Sequence, residues 1–155
     1  MIKKALLIVL GILILMQFYR PARNIAAGVQ PKALKNKYSI PPNTESALTV
    51  ACYDCHSNNT KYPWYAEIQP VNLYLTRHVN EGKKELNFDE FLSYPPKKQL
   101  KKLKEVIELT EKKKMPLSSY TLIHRDAVLS DSQRADIIAW AKKVRAEIEA
   151  SPSGL

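Results

Sequence analysis

Both cysteines of the chain fall inside one pentapeptide, Cys52-Tyr53-Asp54-Cys55-His56. Two thiols this close cannot staple distant parts of a fold, so the pair has to be read as local chemistry. The preceding stretch, Asn43 to Ala51, follows Pro42 and predicts a helix with Asn43 or Thr44 as its N-cap. On a helix, positions i, i+3 and i+4 share a face, which lets both thiols and the imidazole point at one planar ligand. C-x-x-C-H is the attachment signature of c-type haem. Cys52 and Cys55 would form thioether bonds to its two vinyl groups, and His56 would bind the iron from the proximal side.

Two other chemistries use such a pattern. A structural zinc site needs two more ligands; His78 and His124 exist, but their spacing matches no common zinc pattern and no second C-x-x-C is present. A thiol oxidoreductase motif prefers a βαβ setting, which this helix-rich chain with only 4 glycines does not offer. No Ser-His-Asp arrangement, phosphate-cradling glycine loop or paired catalytic carboxylates can be argued from spacing, so no catalytic residue is assigned.

An iron held by His56 has a second axial position, and its occupant separates electron transfer from ligand chemistry. The candidates are Met115, His124 and His78. Met115 follows a predicted helix in Lys114-Met115-Pro116-Leu117, where Pro116 pushes its neighbour into an extended conformation suited to a loop crossing the haem edge. Met1 and Met16 are the other methionines, so the folded unit offers no second one. His124 is the bis-histidine alternative, and His78 reads as part of a helix surface. Met/His ligation raises the potential and leaves no open coordination site, the arrangement of an electron carrier.

Four segments, CYDCHSNNTKYPWYAEIQPV, HVNEGKKELNF, KKMPLSSYTLIH and LSDSQRADIIAW, together make residues 38–145 resemble the small single-haem "haem-binding domain" proteins of bacteria, relatives of the c-type cytochromes. The first and third segments, C-x-x-C-H and a downstream M-P-x-x-x-Y, are the specific ones. The resemblance implies an all-α, cytochrome c-like helical domain around one covalent haem c, lying outside the cytoplasm. It also implies a loop methionine about sixty residues after the attachment histidine, the place Met115 holds. The Tyr62-Pro63-Trp64-Tyr65 stretch is expected to line the haem, with the Trp64 indole N–H available to a propionate. Pro63 or Pro70 could lend a carbonyl to the second ring nitrogen of His56.

Helices should account for the remainder. Val71 to Glu81 forms one, ending at Gly82; Phe88 to Leu92 a short one; Lys97 to Lys113 a long one with Leu100, Leu103, Val106, Ile107 and Leu109 as its apolar stripe. The last opens with Ser130-Asp131-Ser132-Gln133, a capping-box pattern, and resembles the C-terminal helix of cytochromes c.

Residues 1–20 form a separate unit. After Lys3 and Lys4, fifteen residues from Ala5 to Tyr19 carry no charge until Arg20. As a helix this run spans about 22 Å, short of the roughly 30 Å hydrocarbon layer, although Lys4 and Arg20 can snorkel and Tyr19 suits the interface. It reads as an uncleaved signal anchor; the alternative is a cleaved signal peptide, but Ala26-Ala27-Gly28 lies too far beyond the apolar run to make a good cleavage site. Residues 21–37 read as a basic, proline-containing linker, 38–150 as the haem-binding domain and 151–155 as a flexible tail.

The net charge of +9 is uneven: residues 1–40 carry +7, 41–94 carry −3, 95–114 carry +5 and 115–155 carry none. A basic excess concentrated in the N-terminal segment and one lysine-rich stretch does not make a nucleic-acid surface. The lysines of 97–114 are a solvated face or steer a redox partner with an acidic docking surface toward the haem edge. The basic residues after the apolar run oppose the positive-inside bias, yet covalent haem attachment requires the domain to face the periplasm. The expected protein is therefore a single-electron carrier anchored on the periplasmic side of the bacterial inner membrane, or secreted to the periplasm if cleaved. The alternative is a peroxidase-like haem enzyme or haem-based sensor with an open distal site.

Overall fold

Three helices carry the core: α2 (Pro42–Ala51), α5 (Pro96–Glu111) and α7 (Asp131–Glu149). The computed structural model describes residues 1–151; of the expected tail, residues 152–155 lie outside the described residues. Between these helices come α3 (Tyr53–His56), α4 (Val71–Glu85) and α6 (Ser118–Thr121), with 3₁₀ turns at Leu34–Asn36, Trp64–Glu67, Phe88–Ser93 and Arg125–Ala127. Among the described residues there is no β-strand, only an isolated bridge pairing Ile25 with Asn59.

α7 packs on both α2 and α5, burying Leu48 against Leu103, Ile137, Trp140 and Val144. Its start is fixed as the sequence indicates: Gln133 N–H donates to Ser130 Oγ at 3.1 Å and Ser130 N–H to the Gln133 side chain at 2.8 Å. The apolar stripe of α5 divides. Leu103 and Ile107 enter the core, while Val106 and Leu109 turn to a cavity described below. The lysine face of α5 is also not wholly solvated. Lys102 is buried, its ammonium paired with Glu85 at 3.0 Å and Glu105 at 2.7 Å.

Two expectations are corrected here. Gly82 does not stop α4, which continues to Glu85; it is instead the point where that helix crosses α3, and a Cβ placed there would sit 2.6 Å from the Cys55 carbonyl oxygen. Glycine serves the close approach, not the cap. Nor is the segment of residues 21–37 a linker outside the domain. Leu34 is 1% exposed and belongs to the core, and the Asn24 side chain donates to the Ser57 carbonyl at 3.0 Å and to Thr60 Oγ1 at 2.9 Å. Periodicity misses such a segment because its few apolar residues are spaced by local turns and not by a regular element.

The N-terminal apolar run is helical, α1 (Ile2–Met16), with no buried residue. Among the described residues no helix is long and apolar enough to cross a membrane.

Candidate functional site

The C-x-x-C-H pentapeptide begins with a break. Cys52 leaves helical geometry at φ −129°, and α3 then makes a single turn in which His56 N–H donates to the Cys52 carbonyl at 2.9 Å. That i, i+4 bond aligns Cys52, Cys55 and His56 along one side of the turn. All three line a cavity of about 460 Å³, within the roughly 300–1,000 Å³ typical of small-molecule and cofactor sites. Its walls are largely apolar, with Leu86, Phe88, Val106, Leu109 and Ile137 among them.

The imidazole of His56 is oriented from behind. Its Nδ1–H donates to the Leu86 carbonyl at 2.9 Å, which leaves Nε2 free. The partner is Leu86, not Pro63 or Pro70, because α4 runs on past Gly82 and delivers the first carbonyl beyond its end to this ring. Burial lowers the His56 pKa, against the raising effect of the Leu86 and Gly82 carbonyls, and so favours the neutral imidazole that a metal requires. Both cysteines are free thiols. Burial pushes Cys52 up to about 12 and Cys55 up to about 11, so both stay protonated at neutral pH.

Met115 lines the same cavity. It follows the end of α5, where Lys113 takes φ +54°, and its carbonyl accepts from the Arg134 guanidinium at 3.1 Å. The turn that follows is tied back to the attachment site: Tyr120 on α6 donates its hydroxyl to Asp54 Oδ2 at 2.7 Å, while the Lys61 N–H donates to Asp54 Oδ1 at 2.9 Å. The Tyr120–Asp54 pair thus joins the methionine loop to the C-x-x-C-H turn.

His124 does not reach this cavity. It lines a smaller neighbouring one of about 100 Å³, stacked on the Tyr120 ring at 4.1 Å and hydrogen-bonded to the Tyr65 hydroxyl. Trp64 is 76% exposed and lines neither cavity, because the 3₁₀ turn Trp64–Glu67 directs Pro63 and Tyr65 inward in its place. His78, expected on a helix surface, borders both cavities, with Nδ1 2.9 Å from the Tyr74 carbonyl. One signal could have found it. His78 stands four residues before Gly82, on the helix face that meets Cys55. Tyr120 is the tyrosine of the M-P-x-x-x-Y motif, which marked it without assigning it a role, and the Leu86 carbonyl carried no mark.

Among the described residues no group of three or more His, Cys, Asp or Glu side chains is placed to hold a metal ion directly, so a zinc site of Cys52, Cys55 and His56 finds no fourth ligand. The donor set instead suits a planar macrocycle: two protonated thiols, one neutral imidazole and a thioether facing one apolar space.

A family model described as haem-binding domain matches residues 11–143. The chain belongs to the haem-binding domain family. It is also similar to the cytochrome c peroxidase Ccp of Escherichia coli (strain K12), 31% identical over an alignment of 106 positions that covers 64% of this chain and 22% of that protein. The chain thus spans about a fifth of the length of the relative it matches. No solved structure matches. With haem as the group, the residues that could serve it share one cavity: Cys52, Cys55 and His56 at α3, the last oriented by the Leu86 carbonyl, and Met115 in the loop after α5.

Proposed function

We propose that this haem-binding protein is a membrane-anchored, single-haem electron carrier. The observation that carries the reading is that Met115 lines the His56 cavity, whereas His124 is turned into the neighbouring one; His78 borders the His56 cavity as well and is the competing ligand, its Nε2 left free by the Nδ1 contact with the Tyr74 carbonyl. When bound, haem c supplies an iron that cycles between two oxidation states by one electron. The chain does the rest. Cys52 and Cys55 would hold the haem through thioethers, each formed as a thiol S–H adds across a vinyl double bond with no electron gained or lost. His56 would offer Nε2 to the iron, with the Leu86 carbonyl setting its basicity. Met115 would offer its thioether to the iron, and the apolar side chains around it would limit the entry of water.

Location and partners follow from the same reading. Asn24 and Leu34 are built into the domain, so cleavage near Ala26 would remove Asn24 with its bonds to Ser57 and Thr60; this supports an anchor over a cleaved signal. Covalent haem attachment puts the domain on the periplasmic side. Exposed lysines just after α5, Lys112 and Lys114, precede Met115 and suit a redox partner with an acidic docking surface.

The test is optical and magnetic spectroscopy of the haem-matured full chain beside Met115→Ala, His124→Ala and His78→Ala. A low-spin iron with a methionine–iron charge-transfer band, lost only in Met115→Ala, is the expected result. The similarity to a cytochrome c peroxidase favours a second reading, a peroxidase-like enzyme or sensor. A high-spin wild-type iron that binds carbon monoxide or peroxide readily would put that reading first.

A further inference from the structure

The end of α1 does not hang from the domain by a free chain. Gln17 and Gln69 form a reciprocal pair: Gln69 N–H donates to Gln17 Oε1 at 3.0 Å and Gln17 Nε2 donates to the Gln69 carbonyl at 3.2 Å. The Gln69 side chain donates in turn to the Tyr19 carbonyl at 2.7 Å. Beside this pair, Arg20 donates to the Glu67 carbonyl at 2.5 Å and Arg23 pairs with the Glu67 carboxylate. The last turn of the apolar helix is therefore fixed against the segment from Trp64 to Val71.

That segment and the start of α4 are unusually apolar for an exposed surface. Trp64, Ile68, Leu73 and Tyr74 are all exposed, and Phe18 and Tyr19 at the end of α1 are exposed beside them. Trp64 and Tyr74 each lie five residues from Gln69, so at most about 18 Å of extended chain separates either from the clamp. Glu67 is the one acidic residue between Ser57 and Asn80, and Arg23 neutralises it. The patch thus offers amphipathic rings and aliphatic side chains, flanking arginines and no unpaired carboxylate.

We propose that this face, with Trp64, Ile68, Leu73 and Tyr74, rests in the headgroup layer of the membrane that α1 enters, holding the haem domain at a fixed tilt. The proposal rests on the anchor reading of α1. Tryptophan and tyrosine settle at the headgroup level, where one end of the ring is apolar and the other wet. An apolar helix of about 22 Å in a layer of about 30 Å draws its flanking residues toward the bilayer, and the Gln17–Gln69 clamp draws the Trp64 face with them.

The experiment uses the haem-matured full chain in vesicles of phosphatidylcholine and phosphatidylglycerol, carrying either Trp64→Cys or, as a control on the exposed face of α7, Lys142→Cys. The two native thiols are consumed by haem, so a bulky, membrane-impermeant maleimide reads the new one. Labelling at position 64 at least tenfold slower than at 142 is expected. Adding Gln17→Ala should bring the rate at 64 toward the control while the chain stays with the vesicles. Equal rates in a chain that survives an alkaline wash would overturn the lipid face and leave the anchor standing. Loss of the chain in that wash would overturn both. Slow labelling that eases on diluting the protein in lipid would assign the face to a second copy and also overturn the proposal.

Discussion

Gly82 lies so close to Cys55 that a side-chain carbon on it would come within 2.6 Å of the Cys55 carbonyl oxygen and 3.0 Å of its Cβ. The crossing brings α4 onto the attachment turn and, three residues later, delivers Glu85 and the Leu86 carbonyl to the His56 side of the cavity. Alanine at position 82 would favour the helix by about 1 kcal/mol in isolation. Here the obstructing atoms are backbone, which cannot swing aside as a flexible side chain would. Gly82→Ala should therefore destabilise the protein by about 1–3 kcal/mol and lower the yield of covalent haem. Asn80→Ala, at an exposed position on the same helix, should leave both near the wild-type value. Urea unfolding and haem-stained protein yield check the pair.

The two attachment thiols give a kinetic prediction for the chain before haem is joined. Cys52, pushed up to about 12, and Cys55, pushed up to about 11, are almost entirely protonated at pH 8, whereas an unperturbed thiol near 8.5 is partly ionised. Alkylation of the folded, haem-free chain by iodoacetamide at pH 8 should run about a hundredfold or more slower than in denaturant. Raising the pH to 10 should narrow the gap. Rates that match in folded and denatured chains would mean that the turn is open before attachment.

Two tyrosines bracket the site and make stability depend on alkaline pH. Burial and a hydrogen bond to Glu45 hold the Tyr53 hydroxyl far above its usual value, and burial with the hydrogen bond to Asp54 does the same for Tyr120. The folded chain keeps both protons when the unfolded chain gives them up near pH 10, so stability is complete below about 10 and falls as pH rises beyond it. Tyr120→Phe should cost about 1–2 kcal/mol at neutral pH, by leaving Asp54 Oδ2 without its donor. Combined with Tyr53→Phe, it should also flatten the decline. Urea midpoints between pH 8 and 11 measure both effects.

Different parts of the site were legible to different degrees, and for physical reasons. Cys52, Cys55, His56 and Met115 could be singled out in the sequence because iron ligation and thioether formation demand particular atoms that few residue types supply, and the fold brings all four to one cavity. The capping box at Ser130 and the stripe of α5 were visible because helices repeat regularly. What escaped were contacts between elements. A glycine reads the same whether it ends a helix or admits a neighbour, so Gly82 was assigned to the wrong task. The Leu86 carbonyl has no side-chain signature at all, and the motif that contains Tyr120 does not tell that its hydroxyl meets Asp54. Trp64 was drawn inward by its neighbours in sequence, although a 3₁₀ turn puts adjacent residues on different sides.

The segment before Tyr38 offers the sharpest contrast between composition and packing. Its prolines and basic residues suggest a solvated linker, yet Leu34 is 1% exposed while Val29, five residues earlier, is 88% exposed. Leu34 sits in a 3₁₀ turn whose neighbour Lys32 gives its carbonyl to Leu92 N–H at 2.9 Å, locking the segment onto Phe88–Ser93. Leu34→Ala removes a buried side chain from the core shared with Phe91 and Leu48, and should cost about 2–5 kcal/mol. Val29→Ala should stay within about 0.5 kcal/mol of wild type. A chain shortened to begin at Tyr38 loses Leu34 together with the Asn24 bonds to Ser57 and Thr60, which hold the loop just after His56. It should unfold at lower urea than Leu34→Ala alone, and the difference between the two midpoints measures what the rest of the segment contributes, Asn24, Lys32 and Ala33 included. A shortened chain as stable as the wild type would return residues 21–37 to the role of a linker.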